Sequence, residues 1–264
     1  MTTVGKAEGG RIARHQLAVF VVLAFALSWS VWPLVLLNPA SSPMVPFGPA
    51  LAALAVTALA GGRRAVLDLL RQLTRWRAGP GWYLAALSPL ALTPLAGLLA
   101  VAAGAPAPTV DLPATVAAVP AVLLTTLVVV GLFEELGWRG YALPRLLRRH
   151  RPAASALVLG AIWLLWHLPE LVSDPTGQRP VLPFAVTVLA QSVILTWLYG
   201  GTPAGLPLAM TFHAAADTAA RLVLTAFDGR AHVDVWWWIA ALYALAAGVL
   251  IRRTAAGLPS APNG

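Results

Sequence analysis

The chain has 264 residues, 59% hydrophobic and only 11% charged, with a mean hydropathy of +0.76 and a formal net charge of +8. Ordinary soluble domains carry about 25% charged residues, so this composition points away from a soluble enzyme and towards a polytopic membrane protein. Cysteine is absent, which removes disulfides, thiolate metal ligands and a thiol nucleophile.

A bilayer core needs about 20 apolar helical residues. The first run, 16–37, follows Lys6, Arg11 and Arg14. It is too long for a usual signal-peptide core and no A-x-A site follows it, so it reads as an uncleaved signal anchor. Seven further runs are expected to span: 44–61, 81–104, 115–138, 153–172, 182–199, 204–226 and 235–251. Between the second and third lies "RRAVLDLLRQLTRW", read as a basic interfacial helix on an anionic leaflet. Pro and Gly punctuate the other gaps, as in "GPGW" and "GGTPAGLP". The tail "GLPSAPNG" reads as disordered. The expected fold is an all-α polytopic membrane bundle of about eight transmembrane helices, a single domain over 1–264.

Basic residues set the orientation. They cluster at the N-terminus, at 63–77, at 145–151 and at Arg252 and Arg253, which eight spans place on one side. The other loops hold Asp111, Asp174, Asp228 and Asp234 with only Arg179 and Arg230. By the positive-inside rule both termini are expected in the cytoplasm, with the protein in the cell membrane. Short clusters between apolar runs serve topology, so no nucleic-acid partner is expected.

Charge recurs where the spans should be greasy. Span four carries Glu134, Glu135 and Arg139, span five His167, and span seven His213 and Asp217. A charge at the bilayer centre costs about 2.5–3.5 kcal/mol on insertion scales, so intramembrane ionisable groups are functional by default. Glu135 and Arg139 are four apart and share a helix face, which suits an ion pair. Glu134 is turned by about 100° and faces elsewhere. His213 and Asp217 share a face, so Asp217 can orient His213 or share its target. Trp163 and His167 do likewise, the indole walling the imidazole. Along their helices Glu134, His167 and His213 each lie about 18–20 Å from the basic-loop side, a common depth.

Residue type narrows the chemistry. There is no G-x-S-x-G and no H-E-x-x-H. What remains is a glutamate that can act as general base on water, with two imidazoles that can hold a divalent metal or stabilise an oxyanion. "EELGWRG" fits E-E-x-x-x-R, "WLLWH" fits aromatic-x-x-x-H with Trp163 at the place of a common phenylalanine, and "HAAAD" fits H-x-x-x-N/D. In this order, the motifs resemble those of the CPBP (Abi) family, the CAAX-protease and bacteriocin-processing membrane endopeptidases. The resemblance covers the motif core, within 115–226.

The resemblance implies an intramembrane glutamate-dependent or metallo-endopeptidase acting on a peptide or membrane-protein substrate in the bilayer. It places catalysis on Glu134, His167 and His213, with Glu135, Arg139 and Asp217 in support. Glu134, His167 and His213 are also the expected ligands if a divalent metal such as zinc is held. Two other readings use the same residues: a proton-coupled transporter, and a non-enzymatic scaffold or immunity protein.

Overall fold

The computed structural model describes residues 4–38, 41–174 and 177–253, with side chains from His15 onward. The tail expected to be disordered lies outside the described residues. Those residues form helices and connections, with no strand among them. The rods are α1 (Val4–Trp29), α2 (Gly48–Arg71), α3 (Pro80–Ala102), α4 (Leu112–Leu147), α5 (Pro152–Trp166), α6 (Val181–Gly201), α7 (Gly205–Leu224) and α8 (Gly229–Arg253). Six stretches, in α1 to α4, α6 and α8, are long and apolar enough to cross a membrane. α5 is apolar but shorter, and α7, the helix of His213 and Asp217, falls outside that set. Intramembrane charge explains the second exception.

The bundle is greasy outside as well as inside. Large apolar side chains stand exposed around it, including Leu59, Leu84, Leu98 and Leu245. Glu134, Glu135, Arg139 and His213 are buried within. Water would make that arrangement costly; lipid makes it stable, because the tails solvate the apolar exterior and the polar groups satisfy one another inside.

α4 crosses the middle, packed between α2 and α7, while α6 lies against α5 and α8. Glycines permit the close approach. A Cβ on Gly137 would stand 2.5 Å from the Cβ of Pro49 on α2, and one on Gly131 would stand 2.9 Å from the Met210 carbonyl on α7. α4 is also not a regular α-helix. Wider π-helical turns at Leu127–Leu132 and Leu136–Ala142 flank a single α-turn at Phe133–Glu135. Such bulges recur at functional sites because they re-aim side chains within a continuous helix.

The expected basic interfacial helix begins at a real break. Gly62 has φ +64° inside α2, a left-handed conformation that only glycine adopts at little cost. The segment carrying Arg63 to Arg71 resumes as helix beyond it.

Candidate active site

The expected ion pair forms within α4. Arg139 Nη1 donates to Glu135 Oε1 at 2.7 Å, and both side chains are fully buried. The guanidinium also lies over the Trp163 ring, 4.5 Å from its centroid. Glu135 has a second partner that spacing along one helix does not reveal. His213 Nδ1 stands 2.8 Å from the same Oε1. A carboxylate oxygen only accepts when ionised, so Nδ1 carries the proton and Nε2 is turned into the bundle. Asp217, the partner expected from i,i+4 spacing, stays 3.8 Å from Nε2 with its side chain 44% exposed. Glu135 therefore orients His213, and Asp217 flanks its outer nitrogen.

Glu134 points the other way, as the helical rotation predicts. Its Oε2 accepts from Trp163 Nε1 at 3.0 Å across the α4–α5 contact. Trp163 meets most of the site: its ring stands edge-on to His213 at 5.1 Å and tilted to His167 at 5.6 Å. The expectation that it walls one side of His167 understates this, since its indole N–H holds the Glu134 carboxylate.

His167 was expected inside a continuous span over 153–172. It instead sits where α5 ends, at φ −79° and ψ 2°, before a short helix Leu168–Val172. Its Nδ1 is 2.8 Å from the Trp163 carbonyl oxygen. A carbonyl cannot donate, so Nδ1 carries the proton and the neutral ring leaves Nε2 as an acceptor. Trp166 and Phe184 stand edge-on to the ring at 5.0 and 5.3 Å and fix its plane.

These groups share a wall. Glu134, Trp163, His167, His213 and Asp217 all line one cavity of about 410 Å³. Glu135 and Arg139 lie behind it, completely buried. The cavity also touches Tyr243 of α8 and Gln191 of α6, polar side chains that carry no motif signal. Glu170 lines the cavity too and meets Arg179 at 3.4 Å, which ties the short helix to the loop before α6.

Metal binding can be tested on the donor set. Among the described residues no group of three or more His, Asp or Glu side chains has the spacing of a metal site. Trp163 occupies one Glu134 oxygen and Glu135 occupies His213 Nδ1. As arranged, these side chains do not form a metal cage.

The comparisons concern this same core. Residues 116–219, which include all seven motif residues, match the family described as type II CAAX prenyl endopeptidase, Rce1-like. Over this segment the chain is similar to CAAX-protease-2-like endopeptidases. A relative named CAAX prenyl protease 2, from Methanococcus maripaludis, is 32% identical over 99 residues, which is 34% of this chain and 36% of that protein. The match thus spans about a third of the relative's length. The family segment runs from α4 into α7 and contains every cavity-lining side chain except those of the α1–α2 connection, of α3, of the end of α7 from Ala220 to Thr225, and of α8.

Proposed function

We propose that the protein is a membrane endopeptidase that hydrolyses a peptide bond in or near the bilayer by general-base catalysis. The observation that carries this reading is the shared cavity. The Glu134 carboxylate and the outward nitrogens of two differently oriented imidazoles line a space large enough for a stretch of peptide.

Each residue has a role set by its hydrogen bonds. A water bound between Glu134 and His167 Nε2 gives a hydrogen to each, which aims an oxygen lone pair at the substrate carbonyl. Glu134 takes the proton as the water attacks. His213, with Glu135 at Nδ1 and Asp217 near Nε2, can carry a proton on both nitrogens, and in that form Nε2–H donates to the developing oxyanion. Glu134 then returns its proton to the departing amine, and the peptide bond breaks. Glu135 and Arg139 act through His213 and the helix rather than on the substrate. The apolar shell limits bulk water around the reacting atoms. Both termini lie in the cytoplasm in this reading, and a multi-pass cell-membrane location follows from the basic loops.

Glu134→Gln keeps the size and an acceptor for Trp163 but removes the base. Peptide cleavage in purified protein or proteoliposomes should fall by about 10²–10⁴-fold, with yield and melting near those of the parent. A folded variant that cleaves at the parent rate would remove Glu134 from the mechanism. Proteomic comparison of membranes with parent and Glu134→Gln protein then identifies the substrate.

A further inference from the structure

We infer that the cavity takes its substrate from the face opposite the basic loops, so that the substrate is a peptide segment exposed outside the cytoplasm. This rests on the endopeptidase reading and adds the side on which it works.

The first observation is which end of the bundle the cavity reaches. Its rim comes from the connections at one end of the bundle: Ser42 and Pro46 between α1 and α2, Arg179 before α6, Thr225 after α7, and His232 at the start of α8. No residue of the connections at 72–79, 148–151 or 202–204 lines it. The rim is also built rather than loose. The Gln178 carbonyl is met by His232 Nε2 at 2.9 Å and by Trp236 Nε1 at 3.0 Å, which pins the loop before α6 onto α8.

The second observation is that the other end is closed. Arg145 donates through Nε and Nη2 to Gln16 Oε1, both at 3.1 Å, and through Nη1 to the Tyr141 carbonyl at 2.8 Å. Gln72 bridges the Gly140 carbonyl and the Tyr199 hydroxyl at 3.3 and 3.0 Å. Beneath these, Trp138 is fully buried between Phe20 and Trp166. α1, α6 and the connection after α2 are thus stitched to α4 just where a route from that side would run.

The third observation is charge. Fourteen of the eighteen basic residues belong to the closed end, and beyond the buried Arg139 only Arg179, Arg221 and Arg230 remain for the other. So large a bias of arginine in short loops fixes the closed end in the cytoplasm. The open end then faces away from it.

The test uses the absence of cysteine. Thr225→Cys marks the rim and Thr74→Cys the closed face, and both positions are exposed. Spheroplasts and lysed membranes are treated with a membrane-impermeant maleimide. Thr225→Cys should label in intact spheroplasts and Thr74→Cys only after lysis. Arg230→Cys, on the rim side with its side chain 89% exposed, is a second reporter if the first variant accumulates poorly. The opposite pattern, or labelling of Thr74→Cys in intact cells, overturns the inference. Labelling needs no catalysis, so that result leaves the endopeptidase reading standing, whereas failure of that reading shows only in the Glu134→Gln comparison. A membrane-anchored reporter carrying the same peptide tail on either side completes the test. Glu134-dependent cleavage of the outer tail alone is expected, and cleavage of the cytoplasmic tail refutes the proposal.

Discussion

Glu135 holds Arg139 and His213 through one oxygen, and replacing it with glutamine should damage fold and rate by separate routes. Glu135→Gln leaves Arg139 fully buried without its counter-charge. Breaking a buried pair from one side costs about 3–5 kcal/mol. At about 2–4 °C per kcal/mol for a chain of this size, the melting temperature should fall by roughly 6–20 °C. The same change weakens the bond that aims His213. A hydrogen bond to a charged group is worth about 1.5–3 kcal/mol, so the rate of the folded fraction should drop by about 10–100-fold. Thermal shift in detergent and single-turnover cleavage well below the transition separate the two effects. A second substitution sharpens the reasoning. Glu135→Gln with Arg139→Leu removes the orphaned charge, so melting should recover in part, while cleavage stays low because His213 still lacks its partner. If Glu135→Gln melts and cleaves as the parent does, or if the double variant recovers activity along with stability, the two-partner account is wrong.

Trp163→Phe keeps a ring over Arg139 and beside both histidines but deletes the donor to Glu134, and cleavage should fall by about tenfold at similar melting temperature. Gly137→Ala drives a methyl into Pro49, and α2 and α4 must part; thermal shift should show a loss of about 1–3 kcal/mol in stability. Because the donors do not converge as a metal site, dialysis against a strong chelator should leave cleavage intact, and elemental analysis should show less than one metal per chain. Loss of activity restored by zinc would assign the histidines to a metal instead.

Much of the fold is legible in the sequence because a bilayer imposes one rule on every segment, a run of apolar residues of sufficient length. The expected spans 16–37 and 81–104 match His15–Leu36 and Pro80–Ala102 closely. α7 falls within the expected run 204–226, which the alternation of loop charges supports although Asp217 and Arg221 lower its hydropathy. The Glu135–Arg139 pair and the separate heading of Glu134 follow from rotation along one helix, a local property. The bonds from Trp163 to Glu134 and from His213 to Glu135 join residues 29 and 78 positions apart, and no helical period encodes them. Of the two readings of Asp217 from spacing, orienting His213 or sharing its target, spacing alone did not reveal that Glu135 bonds Nδ1 while Asp217 stands 3.8 Å from Nε2. The π-helical turns were equally hidden, because the apolar run through α4 satisfies any helix that keeps its backbone hydrogen bonds.

The stitching of Gln16, Gln72 and Tyr199 onto α4 bears on the electrical state of the membrane. A cavity filled from one side carries the potential of the solution at its mouth, so the transmembrane voltage falls across the dry half that these residues close. A charge moved through 100 mV gains about 2.3 kcal/mol, yet in the proposed mechanism a proton passing from water to Glu134 and on to a leaving amine stays on the cavity side of that closure. It crosses almost none of that drop. Turnover should therefore neither draw on an ion gradient nor leak one, and the rate in proteoliposomes should be the same whether they are energised or collapsed.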